Sequence, residues 1–64
     1  MKLYAIFKNG FHKGNEKANN GNDAIKNYII NSELSDFLND DNFIAQYTFS
    51  EAINGVHYNE KIVL

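Results

Sequence analysis

The chain has no cysteine, no proline and no arginine. Without cysteine there is no disulfide and no thiolate metal site to staple a small fold, which leaves a packed core or self-association to hold it. Without arginine the side chain best shaped to fork onto phosphate is missing. No apolar run approaches the roughly 18 residues of a membrane span, and no signal-peptide core with a cleavage site opens the chain. These absences predict a soluble, cytoplasmic protein without membrane association.

Sixty-four residues predict a single domain, 1–64, and a chain of this size buries only about 60% of the surface it exposes when unfolded. Stability should be marginal, and a homodimer is one remedy. Five Phe and four Tyr, with many Ile and Leu, supply a core and argue against disorder. The eleven Asn, six Lys and abundant Ile, Tyr and Phe are residues of A/T-rich codons. They point to an AT-rich genome, a bacteriophage or a low-GC bacterium, and a short reading frame opening at Met1 is typical of compact viral genomes.

Two β-like runs meet at Asn9-Gly10, a pair that tolerates the positive φ of a type I′ turn, so residues 2–17 predict a hairpin. A two-residue loop pairs Lys8 with Phe11, Ile6 with Lys13, Tyr4 with Asn15 and Lys2 with Lys17. Alternation then places Leu3, Ala5 and Phe7 on a core face, and Lys2, Tyr4, Ile6, Lys8, Phe11, Lys13 and Lys17 on an outer one. Asn22-Asp23 reads as a helix start, and Ala24, Ile25, Tyr28 and Ile29 form a helical stripe. Leu34, Phe37 and Leu38 fall on another side, which predicts a break near Asn31-Ser32 and a short second helix from Ser32 to about Leu38.

After a turn at residues 39–42, Phe43, Ala45, Tyr47 and Phe49 alternate as one face of a strand. Asn54-Gly55 is a second turn signal, followed by β-like segments at residues 56–58 and 61–64. The outline is β-β-α-(α)-β-β, an α+β domain with helix packed on a mainly antiparallel sheet. The opening, with strand, Asn-Gly turn, strand and Ala18-x-x-x-x-Asp23-Ala24-Ile25 leading into a helix, resembles small ββα modules such as the HicB-type antitoxins. It spans about half the chain, lacks their Pro-rich strand segment, and carries no function over.

Charge is segregated. Residues 1–27 hold five lysines against Glu16 and Asp23, whereas residues 28–60 hold six acids and no lysine. Charge on the outside of a small domain is the default and makes both halves ordinary surface. Glu33, Asp36 and Asp40, at i, i+3 and i+7, share one face beside Asp41 if the second helix runs on. The sharper reading takes these four as an acidic surface for a basic partner, one whose own ligand is nucleic acid, with Phe11 as an exposed anchor. The alternative is a single-strand nucleic-acid binder using Lys2, Tyr4, Lys8, Lys13 and Lys17, cations mixed with an aromatic platform. The acidic second half weighs against it.

Chemistry has little to work with. His12 and His57 lack the spacing of metal ligands and lack a carboxylate partner, so they read as structural or surface residues. Ser32, Ser35 and Ser50 read as caps or turn residues, the acidic turn lacks the ligand spacing of a calcium loop, and the glycines form no phosphate-binding loop. The expectation is a protein without catalytic residues, cofactor or metal, acting by binding another protein as a modulator or inhibitor of a host target. A third reading is a self-associating structural or assembly subunit.

Overall fold

The computed structural model describes residues 1–58. The hairpin is present: β1 (Lys2–Lys8) and β2 (Phe11–Ala18) pair antiparallel around Asn9 and Gly10, whose φ angles of 51° and 85° are those of a type I′ turn. β3 (Tyr47–Glu51) pairs antiparallel with the other side of β1, giving a three-stranded sheet of order β2-β1-β3. Helix α1 (Gly21–Asn31) packs on one face, so the domain is α+β in the order β-β-α-β. A four-residue helix α2 (Asp41–Ile44) follows a 3-10 turn at Ser35–Phe37.

The predicted register holds only at the turn. Lys8 faces Phe11 and Phe7 faces His12, after which a bulge shifts the pairing, so that Ile6 meets Gly14, Tyr4 meets Glu16 and Lys2 meets Ala18. One extra residue in β2 turns every side chain beyond it to the opposite face. Gly14, Glu16 and Ala18 thereby join Tyr4 and Ile6, and Lys17 moves to the back of the sheet beside Leu3. The expected core face is inverted as a result: Tyr4, Ile6 and Tyr47 are buried under α1 together with Ala18, Ala24, Ile25 and Ile29. The inversion has a steric logic. Gly14 leaves room for the Tyr28 ring, which would lie 3.0 Å from a β-carbon there.

The helical stripe is as expected, with Ala24, Ile25 and Ile29 buried and Tyr28 packed at the margin. Its cap lies two residues earlier than predicted. Asn20 Oδ1 accepts the Asp23 N–H at 2.9 Å, while Asn20 Nδ2 donates to Asp23 Oδ2 at 3.2 Å. The break after Asn31 is real, but Ser32 closes α1 instead of opening a second helix. Leu34 N–H reaches the Ile29 carbonyl and Glu33 N–H the Ile30 carbonyl, both at 3.0 Å, which is the Schellman pattern. It forces Glu33 to φ 62°, a left-handed position that usually belongs to glycine, and sets a carboxylate at the negative end of the helix. Glu33→Gly is therefore expected to raise stability by about 1 kcal/mol. A thermal melt should show it as a midpoint about 4–8 °C higher; no rise would mean that the carboxylate compensates the strain.

The strand predicted from Phe43 begins only at Tyr47. Asp40 Oδ1 accepts from the N–H groups of Asn42 and Phe43 at 3.0 and 3.1 Å, capping a helical turn in which Phe43 and Ile44 point toward the core margin. Around Gly55, at φ 86°, the chain turns as expected, but residues 56–58 form a turn ending in an isolated bridge of Tyr58 to Asn54. The segment expected as a strand at 61–64 lies outside the described residues.

Candidate functional site

The bulge, the hairpin tip and α2 converge at one end of the sheet. Asn9 N–H donates to the Gln46 carbonyl at 2.9 Å, tying the tip to the segment that enters β3. Lys8, the last residue of β1, thereby comes to lie with its Nζ 5.1 Å from the Phe43 ring centre and 5.6 Å from that of Tyr47. Aromatic rings continue from this cation in both directions. Tyr28 meets Tyr47 at 6.0 Å, Tyr47 meets Phe43 at 5.4 Å, and Phe43 stacks on Phe37 at 4.5 Å with the planes 27° apart.

The band runs from buried to exposed. Tyr47 is in the core, and burial, with the neighbouring Tyr28 phenol as a smaller cause, pushes its hydroxyl above the ordinary tyrosine value, so it stays a neutral phenol at neutral pH. Phe43 is half-buried, and Phe37 at the outer end is 41% exposed. Across the hairpin tip Phe11, opposite Lys8, is 73% exposed. Phe37 was expected to join Leu34 and Leu38 on the apolar side of a second helix. Its position follows from the loss of the second helix, which leaves Leu34 and Leu38 to pack inward and turns Phe37 onto Phe43 instead.

The acidic residues border this band. Asp36 sits in the 3-10 turn beside Phe37, and Asp40 and Asp41 open α2 beside Phe43. Asp40 is committed to its cap. Glu33, Asp36 and Asp41 are exposed, and their carboxylates have no hydrogen-bond or ion-pair partner among the described residues. The acids do not form the single helical face that their spacing suggests, because no single helix runs through them: Asp36 lies in the 3-10 turn, Asp40 caps α2 and Asp41 is its first residue.

The lysine set is dispersed. Tyr4 is buried and meets Phe49 edge-on at 5.7 Å. Lys2 Nζ lies 3.5 Å from Glu51 Oε1, Lys8 covers the aromatic band, and Lys17 is turned to the back of the sheet. Lys13 lies at the bulge.

Nothing in the sequence joins His12 to His57, yet their rings lie 5.4 Å apart on the back of the sheet against Phe7. His57 Nδ1 accepts the Ile53 N–H at 2.8 Å. Asn15 Nδ2 donates to the His57 carbonyl at 3.1 Å, while its Oδ1 accepts from His12 Nε2 at 2.9 Å. These bonds fasten the segment after β3 across the back of the sheet. They also occupy the His57 lone pair at Nδ1, leaving the proton of the neutral ring on Nε2, an arrangement suited to holding a chain and not to gripping a metal. No three His, Cys, Asp or Glu side chains gather into a metal-holding group among the described residues. No helix of the described residues is long and apolar enough to cross a membrane. The depression between Met1, Ala18 and Ile30 is shallow and open, with Asp23 and Lys26 among its lining residues.

A scan against protein-family models finds no match, and searches of curated proteins and of solved structures find none either. The ββα resemblance therefore assigns no family.

Proposed function

We propose that the chain is a non-enzymatic protein-binding domain that modulates or inhibits a partner through the aromatic band and its acidic border. The observation that supports this most is exposed Phe37 in the segment that carries the carboxylates of Glu33, Asp36 and Asp41, which nothing else among the described residues neutralises, with Phe11 exposed at the hairpin tip. Aromatic side chains are favoured anchors in interface cores, and a border of one charge sign sets orientation and speeds encounter. The complementary partner presents a basic groove, of the kind that also takes nucleic acid. The small size and A/T-rich composition fit a phage-encoded inhibitor of a host protein. The single-strand-binding alternative draws less support, since its aromatic platform Tyr4 is buried and its lysines are divided between two faces.

The test separates surface from fold. Asp36→Lys with Asp41→Lys reverses the border while leaving the Asp40 cap in place. Tagged protein is used to capture its partner from nuclease-treated lysate of the source cell. The reversal should weaken capture at least about tenfold, because charges at an interface rim steer association and disfavour like-charged partners. Phe37→Ala should weaken it similarly with little change in melting temperature. Capture unaffected by the reversal, or recovery of nucleic acid alone before nuclease treatment, would overturn the reading.

A further inference from the structure

The two edges of the sheet are not equally protected. β2 is interrupted by its bulge and bears Lys13 and Lys17, both of which discourage a further strand. β3 reads Tyr47-Thr48-Phe49-Ser50-Glu51 without bulge, lysine or proline, and everything after Tyr47 is exposed.

The ladder shows which backbone groups of β3 look outward. Ala52 N–H donates to the Leu3 carbonyl at 3.0 Å, and Asn9 N–H donates to the Gln46 carbonyl at 2.9 Å. Antiparallel strands alternate between pairs that exchange hydrogen bonds and pairs that do not. In the observed register, Ser50 with Ala5 and Thr48 with Phe7 are then the bonded pairs. Tyr47, Phe49 and Glu51 turn their N–H and C=O groups to the edge away from β1, where no further strand pairs among the described residues.

We propose that two copies of this chain pair antiparallel through β3 about a two-fold axis at Phe49, joining their sheets into one. In that register Phe49 faces the partner's Phe49, Tyr47 faces the partner's Glu51, and Thr48 faces the partner's Ser50. All three outward residues both donate and accept. Centring the axis on Thr48 leaves Glu51 without a β3 partner, and centring it on Ser50 leaves Tyr47 without one. No like charges are opposed, because Glu51 meets a tyrosine. Phe49, 44% exposed, gains an aromatic neighbour across the axis. Self-association through β3 uses the outward backbone groups of residues 47–51, whereas partner binding uses the carboxylates and Phe37 of the preceding segment 33–41, so either can hold without the other.

Thr48 and Ser50 are exposed and lie on the back of the sheet, so their side chains can be changed without entering the core under α1. Sedimentation equilibrium of the full chain should give a dimer mass. Thr48→Lys with Ser50→Lys sets like charges opposite each other twice and should raise the dimer dissociation constant about tenfold. Thr48→Lys with Ser50→Glu sets opposite charges in the same places and should restore it to near the original value. Hydrogen exchange at the Tyr47, Phe49 and Glu51 amides should slow as protein concentration rises, while Thr48 and Ser50 stay protected throughout. A monomer at millimolar concentration, a dimer indifferent to the double lysine variant, or outward amides already protected in dilute protein would each overturn the proposal.

Discussion

Ile29→Ala is expected to lower the unfolding free energy by about 2–5 kcal/mol, the cost of a truncated core side chain and the cavity it leaves. A chain of this length holds about 3–10 kcal/mol in all, so the variant should sit close to its unfolding midpoint in buffer. Ile29 is fully buried and shares one cluster with Ile6, Ile25 and Tyr47. Its carbonyl also accepts the Leu34 N–H that closes α1, and Leu34 packs against the same cluster. The side chain thus joins helix, sheet and helix terminus, and there is little else in so small a core to collapse into the space. Ile29→Val, which removes one methyl, should cost only about 0.5–1.5 kcal/mol. Denaturant unfolding of both variants checks the pair. A loss below about 1 kcal/mol for alanine would mean that α1 does not seat Ile29 in the core.

The hairpin and α1 were legible because each carries a local signal that the surroundings reinforce. Asn9-Gly10 supplies the two positive φ angles directly, and the Ala24, Ile25, Tyr28 and Ile29 spacing fits one helical face and no strand. The bulge was not legible. His12-Lys13-Gly14 can continue a regular strand, and what selects the bulge is tertiary: it exchanges Lys17 for Gly14 and Ala18 on the face that α1 must cover. A similar ambiguity hid α2. Phe43, Ala45, Tyr47 and Phe49 alternate, but Phe43, Ile44 and Tyr47 also fit a helical turn, and the Asp40 cap decides between them.

The candidate site was legible in its residue types and not in its shape. Charge segregation is a property of the sequence and survives any fold. Bringing Phe37 and Phe43 beside Lys8 depends on where the chain leaves α1, and that exit is set by Glu33 at a position where glycine would have advertised the turn. The same dependence on a single exit explains why the spacing of Glu33, Asp36 and Asp40 suggested a helix face that does not exist. His12 and His57 could not be connected at all, since only the return of the chain after β3 brings them together.

Gly21→Val is expected to be the most damaging change at a residue without a side chain. Gly21 is buried at the first position of α1, and a β-carbon there would fall within the ring of Phe49. Valine must therefore displace that ring from the helix start and from its edge-on contact with Tyr4 at 5.7 Å, at a cost of about 1–3 kcal/mol for overpacking. The bulk of the loss should be conditional on Phe49. In a Phe49→Ala background the three ring atoms that a β-carbon there would meet first are gone, so Gly21→Val should add well under half of its cost in the wild-type chain. Residues in direct contact are where such non-additivity is expected, at about 0.5–3 kcal/mol. A denaturant series on the two single variants and the double variant measures it. Equal costs in both backgrounds would show that glycine is kept for its backbone; a cost that disappears with the ring would show that it is kept so that β3 can lie against α1.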